Sequence, residues 1–126
     1  MDHSAGFLRI VDAVRGNVVE TDVHGVKQRL DRGEPFQLVD VREDNEWEAG
    51  HLPHAIHLGR GILERDVETT FPDPDTDIVL YCGGGYRSVL AADALRRMGY
   101  TRVTSMDGGY RGWTEAGYPV EDASED

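Results

Sequence analysis

The chain holds one cysteine, Cys82, and one lysine, Lys27, among 126 residues. A lone cysteine closes no internal disulfide and supplies too few ligands for a structural zinc site. Cys82 is therefore either a small packing residue or a reactive thiol. Positive charge is scarce: 13 basic residues face 24 acidic ones, for a formal net charge of −11. Nucleic-acid binding needs basic patches that neutralise phosphates, so this balance argues against a nucleic-acid partner. It also repels anions at long range, so any anion site must be local, built from backbone dipoles and a few arginines. No apolar run approaches the roughly 20 residues of a membrane-spanning helix. The opening MDHSAGFLRI lacks the basic segment and long apolar run of a secretory signal. These absences predict a cytoplasmic protein with no membrane partner.

What is present suits one domain, with 39% of residues hydrophobic. Phe7, Leu8, Ile10, Val11 and Val14 fall at helical spacing and predict a helix over 5–15. Val18-Val19 is a short strand candidate. Thr21 or Asp22 can cap a helix running to about Arg32, with Gly33 as its stop. FQLVDV (36–41) reads as a strand, 43–49 as a short helix ended by Gly50, 56–58 as a brief strand and 62–67 as a helical turn or two. DIVLYC (77–82) is nearly continuously apolar, as in a strand buried on both faces. A helix follows over 88–98, then a strand over 102–106 and a last helix from GGYRGW. Alternating strands and helices predict parallel strands joined by right-handed crossovers, with helices on both faces of the sheet. The expected organisation is an N-terminal helical extension (1–17), the domain proper (18–121) and a disordered acidic tail (122–126).

The lone thiol lies in YCGGGYRS (81–88), where a buried strand ends and a helix is about to start. Ligands of open α/β sheets bind beyond such carboxyl ends. Gly83, Gly84 and Gly85 leave the space above the sulfur open and let successive N–H groups turn inward. The next helix brings its positive end, and Arg87 brings a full charge. A helix N-terminus and a nearby cation lower a cysteine pKa from about 8.5 and favour the nucleophilic thiolate. The arrangement predicts nucleophilic catalysis with a covalent intermediate, its charge held by the surrounding donors.

Several motifs in order resemble those of a single-domain rhodanese, over about residues 20–120. LVDVRE (38–43) with EWEAGHLPHAIHL (46–58) is similar to the family's first signature, YCGGGYRS to its active-site loop, and MDGGYRGWTEAGYPVE (106–121) to its C-terminal signature. The resemblance implies a rhodanese-like α/β fold, with a sheet of about five mainly parallel strands. It also implies a sulfurtransferase in which Cys82 accepts sulfane sulfur, rests as a persulfide and passes the sulfur to cyanide or another thiophile. Gly83, Gly84, Gly85, Tyr86 and Arg87 would bind substrate, with Asp40, Arg42 and Ser88 in support, and with no metal or organic cofactor. The partners are a small sulfur donor such as thiosulfate, a thiophilic acceptor, or a protein that takes the sulfur. A sulfur carrier or sensor that presents the persulfide to a partner protein is the rival reading. A cysteine-dependent phosphatase is a third, disfavoured because four residues separate Cys82 from Arg87 where those enzymes have five. Two positions depart from the family pattern. Gly83 stands where many relatives have a basic residue. Glu46 stands near a substrate-binding arginine of the two-domain thiosulfate enzymes, and its carboxylate would repel a dianion.

The remaining polar residues carry weaker signals. His51, His54 and His57 recur every third position, but in an extended run of about 10 Å their rings do not converge on one ion. His51 is expected to bond to backbone in the turn. Asp40 and Arg42 end a strand on the same edge as Cys82; they either orient the loop or form a structural ion pair. Arg60 is at the cleft mouth or solvated. Asp107 caps the final helix or braces the loop. Trp47 and Trp113 are expected to pack, and Tyr86 either shapes the pocket or points to solvent.

Overall fold

A computed structural model describes residues 3–122. Five strands form one sheet: β1 (Val19–Asp22), β2 (Gln37–Asp40), β3 (Ile56–His57), β4 (Asp77–Tyr81) and β5 (Arg102–Asp107). Their order is β1-β5-β4-β2-β3, and every pairing is parallel. Six helices surround them: α1 (Ala5–Arg15), α2 (Val23–Asp31), α3 (Asp44–Ala49), α4 (Leu63–Thr70), α5 (Arg87–Arg97) and α6 (Gly109–Glu115). Every element expected from the sequence is present, with ends displaced by a few residues.

β4 is the central strand, and its side chains divide the core by simple alternation. Ile78 and Leu80 point into one cluster with Leu63 and Val67 of α4 and Ala91, Ala92 and Leu95 of α5. Val79 and Tyr81 point into the other, with Val23 and Val26 of α2 and Trp113 of α6. Both faces are therefore covered, which is why DIVLY shows no polar alternation. Cys82 keeps the same parity as Ile78 and Leu80, so its side chain falls on the α5 side.

Local signals explain the helix ends. Asp22, the last residue of β1, caps α2 by accepting from Gly25 N at 2.8 Å, a contact typically worth about 1 kcal/mol. Gly33 follows α2 with φ 66, where a side chain would be strained. α1 buries Val11 completely and packs along α5, so the N-terminal helix lies beside the Cys82 loop. Glu121 exchanges backbone hydrogen bonds with His51, which ties the chain down just before the expected tail. Of that tail, 123–126 lies outside the described residues.

Candidate functional site

β4 delivers Cys82 to the carboxyl edge of the sheet, and α5 starts five residues later. Between them the chain turns back over the sulfur. Gly85 N donates to Cys82 Sγ at 3.2 Å, and Ser88 N donates at 3.3 Å. Ser88 Oγ lies 3.6 Å from the sulfur and 2.8 Å from Ser105 Oγ, and both serines are fully buried. The first turn of α5 has no side-chain cap, since Tyr86 at its N-cap makes no such bond. The sulfur takes that place by accepting from Ser88 in the helix's first turn.

The predicted ring of donors is thereby redrawn. Of the loop amides from Gly83 to Arg87, only Gly85 N is hydrogen-bonded to the sulfur. The second amide comes from Ser88, which the sequence placed in a supporting role. Gly85 holds φ 101, and a Cβ there would sit 3.1 Å from Gly108 N and 3.2 Å from Asp107 Oδ1. Of the three glycines it is the one whose conformation turns an amide onto the thiol.

Arg87 is where expectation and structure differ most. Its Nη1 and Nη2 donate to Glu46 Oε1 and Oε2 at 2.9 and 3.1 Å, a two-pronged pair. The hydrogen bond to Glu46 raises the Arg87 pKa, against a smaller opposing effect of burial. The same bond holds the Glu46 carboxyl below its ordinary value. The charge expected to complete the cradle is thus neutralised by a carboxylate on α3. Glu46 also accepts from Glu43 N at 3.1 Å, so the start of α3 fixes its position.

Cys82 is only 1% exposed, yet it forms the floor of a cavity of about 420 Å³ lined by Glu46, Gly83, Gly84, Tyr86, Arg87 and Arg111. The chain's N-terminal segment supplies another wall. The Tyr86 ring lies 4.4 Å from that of His3 and 6.3 Å from that of Phe7, and both of those residues line the cavity. Arg15 sits 5.4 Å over the Tyr86 ring. Tyr86 therefore shapes the pocket rather than facing open solvent. His3, Phe7 and Arg111 were not singled out from the sequence. The amphipathic pattern of α1 announced a buried face without saying what it would cover. A second cavity of similar size, about 420 Å³, lies at the other end of the sheet beside Phe36, Gln37 and Asp77, and no cysteine lines it.

Behind the loop, Gly109 lies against its backbone. Tyr110 N donates to Cys82 O at 2.8 Å, and Arg111 N donates to Gly83 O at 3.0 Å. The N-cap of α6 is Gly108, so Asp107 does not cap that helix. Of the two roles expected for Asp107, contact with the loop at Gly85 is the one observed.

Asp40 and Arg42 form a buried bidentate pair, 0% and 3% exposed. Arg42 also donates to Gly50 O at 2.6 Å and lies 4.2 Å over the Tyr110 ring. Their side chains hydrogen-bond to each other, to the Arg42 amide and to Gly50 O, and Asp40 also bonds to the Tyr81 phenol; among the described residues none of these bonds reaches residues 83–87. Of the two roles expected for the pair, the hydrogen bonds among the described residues support the structural one, bracing the turn after α3. Burial keeps the neighbouring Tyr81 phenol protonated well above its ordinary range, and the Asp40 charge adds to that effect. Arg60 pairs with Glu64. His51 and His57 stack on Trp47 at 3.6 and 5.0 Å. Their ring nitrogens lie 3.2 Å from Trp47 O and 2.8 Å from Arg42 O, respectively. Trp113 is fully buried and donates to Pro119 O.

A parallel α/β sheet with a thiol at the end of its central strand, wrapped by a loop that aims amides at the sulfur, defines a class of thiol-centred transfer domains. The chain belongs to the rhodanese family: the family model described as the rhodanese-like domain matches residues 22–116. It is 34% identical over 103 residues to a sulfurtransferase of Allochromatium vinosum, covering 82% of this chain and 94% of that one. It is 30% identical over 98 residues to the Bacillus subtilis protein named "Putative sulfur carrier protein YrkF", covering 78% of this chain and 52% of that relative. The chain thus spans about half of that relative's length. A solved structure from Rhodopseudomonas palustris, described as a protein of unknown function and "Possible Tyrosine Phosphatase", superposes with a TM-score of 0.85. It is 28% identical, with 96% of this chain and 98% of that one covered. No helix among the described residues is long and apolar enough to cross a membrane.

Proposed function

We propose that this protein is a sulfurtransferase that carries sulfane sulfur as a persulfide on Cys82. The observation that supports this reading most is the convergence of Gly85 N, Ser88 N and Ser88 Oγ on Sγ at the floor of the cavity. Family membership points to sulfur chemistry; the geometry suggests how the chain performs it. The Cys82 thiolate attacks the outer sulfur of a donor such as thiosulfate or a small persulfide. A new S–S bond forms, the donor's own bond to that sulfur breaks, and sulfite or a thiolate leaves with the electron pair. Sγ, now bonded to two atoms, keeps its amide contacts, and the outer sulfur projects into the cavity, negatively charged after thiosulfate and carrying the donor's proton after a persulfide R–S–SH. A thiophile such as cyanide then attacks the outer sulfur, and the electron pair of the S–S bond returns to Cys82. Both steps balance without a redox equivalent or a cofactor. Gly83, Gly84 and Tyr86 wall the space around the outer sulfur. A reducing cytoplasm would keep the lone thiol available between turnovers.

The test is turnover of thiosulfate, or of a small persulfide, with cyanide to give thiocyanate. Intact mass should show one added sulfur atom before the acceptor is supplied. Cys82→Ser should abolish both signals. The similarity to the relative named as a sulfur carrier favours a second reading, delivery to a partner protein. Uptake of one sulfur without release to small thiophiles would select it. Hydrolysis of an aryl phosphate through Cys82, with no sulfur uptake, would replace both readings with a phosphatase.

A further inference from the structure

The pocket contains two arginines in different electrical states. Arg87 is neutralised by both oxygens of Glu46. The pair lies against the loop itself, since a Cβ on Gly83 would be 3.1 Å from Arg87 Nη2 and 3.9 Å from Glu46 Oε2. Arg111 lines the same cavity, is exposed, and makes no side-chain hydrogen bond or ion pair among the described residues. Free positive charge thus stands at one wall of the pocket, while a compensated pair stands next to Cys82. The rings of Phe7 and Tyr86, 6.3 Å apart, add apolar surface to the same cavity.

A small dianion such as thiosulfate has all its charge close to the sulfur it donates. It would reach Cys82 beside a carboxylate, with no unpaired cation on that wall, in a protein of net charge −11. It has no carbon body to set against the aromatic wall. The persulfide of a small carboxylate-bearing thiol fits each feature: a sulfur end of low charge, an apolar middle and a remote anion. We propose that Glu46 sets the charge of the sulfur donor. By occupying Arg87 it selects the persulfide of a small carboxylate-bearing thiol, whose carboxylate rests on Arg111, over the thiosulfate dianion. The proposal rests on the sulfurtransferase reading. In the step it favours, the Cys82 thiolate attacks the terminal sulfur of R–S–SH, and the bond between the two donor sulfurs breaks. R–S⁻ leaves with the electron pair, and Cys82–S–SH retains the proton.

Three donors separate the contributions: thiosulfate, the persulfide of 3-mercaptopropionate, and that of 2-mercaptoethanol, which lacks the carboxylate. Sulfur uptake by Cys82 is followed by intact mass at several donor concentrations. The wild-type protein should load most efficiently from the mercaptopropionate persulfide. Arg111→Gln should erase its advantage over the mercaptoethanol persulfide. Glu46→Gln frees Arg87 while keeping an acceptor for Glu43 N, as glutamine also serves at this position of a capping box. It should raise the efficiency ratio of thiosulfate to mercaptopropionate persulfide about fivefold or more, through a lower apparent KM for thiosulfate. Circular dichroism checks that each variant is folded; should Glu46→Gln unfold, the wild-type ranking and Arg111→Gln decide. A wild-type preference for thiosulfate, an unchanged ratio in folded Glu46→Gln, or a carboxylate advantage that survives in Arg111→Gln overturns the proposal and leaves the sulfurtransferase reading standing. Absence of sulfur uptake from all three donors removes that reading, and this proposal with it.

Discussion

Gly109 touches the backbone of Cys82 so closely that a Cβ on it would lie 2.5 Å from the Cys82 carbonyl oxygen and 2.8 Å from Gly83 C. The last helix therefore clamps the thiol loop main chain to main chain, with Tyr110 N and Arg111 N donating to the carbonyls of Cys82 and Gly83. Gly109 also holds φ 57, a region that costs other residues about 1–2 kcal/mol. Forced overpacking typically adds about 1–3 kcal/mol. Gly109→Ala should therefore destabilise the fold by about 2–5 kcal/mol and displace the loop. Urea denaturation measures the first effect. A loss of Cys82 sulfur uptake in the fraction that remains folded measures the second.

Ser88 acts on the sulfur with its amide and on Ser105 with its hydroxyl, inside a fully buried cluster. Ser88→Ala keeps the amide and orphans the Ser105 hydroxyl, at about 1–3 kcal/mol. Ser105→Ala should cost less, because the Ser88 hydroxyl keeps the Cys82 sulfur as a partner. Removing both leaves no unpaired hydroxyl in the pair, so the double variant should lose less stability than the two single losses added. A double-mutant cycle by chemical denaturation gives the coupling directly. Additive losses would mean that the two hydroxyls do not depend on each other.

The thiol loop was legible in the sequence because its signals are local. A continuous apolar run, one cysteine, three glycines and a following helix specify a strand end, an open turn and a helix N-terminus within a dozen residues. The parallel sheet was legible because strands and helices alternate. What the sequence hid is long-range. Glu46 and Arg87 are 41 positions apart, so nothing local says that the arginine of the loop is already paired. α1 reads as amphipathic, but which surface it covers is decided by packing, and it proves to bring Phe7 to the Tyr86 ring. The three glycines look equivalent in order, although only Gly85 has positive φ, because it alone must pass Gly108 and Asp107. Asp107 looked like a helix cap from its place before Gly-Gly; the φ of 86 at Gly108 moves the cap one residue on.

Asp40 and Arg42 share one buried ion pair, and Arg42 also holds Gly50 O. Deleting one member of such a pair strands a charge without its partner and typically costs about 3–5 kcal/mol. Asp40→Ala should lower stability by that amount. The loss should appear as a shift of the denaturation midpoint with sulfur uptake by the folded fraction largely retained, since neither side chain hydrogen-bonds to the loop. Replacing both residues with apolar ones of similar volume should recover much of the loss. A folded Asp40→Ala protein that cannot load Cys82 would return the pair to the loop-orienting role.

Glu46 makes the stability of the fold depend on pH in a defined direction. Its carboxyl is held below its ordinary value, first by the hydrogen bonds from Arg87 and further by the Glu43 amide and the charges of Arg87 and Arg42, with burial opposing them. In the unfolded chain it titrates near the ordinary glutamate value of about 4.3. A lowered folded-state pKa means that the unfolded chain takes up the proton first as pH falls. The stabilisation is therefore complete above the unfolded value and is lost as pH drops through the depressed one. Glu46→Gln cannot titrate, so subtracting its stability from that of the wild-type protein isolates this contribution. The difference, measured by urea unfolding from pH 7 down to pH 3, should be positive and flat at neutral pH and shrink below about pH 4.3. A difference that stays constant across the range, or grows on acidification, would mean that Arg87 does not hold the Glu46 carboxylate in solution.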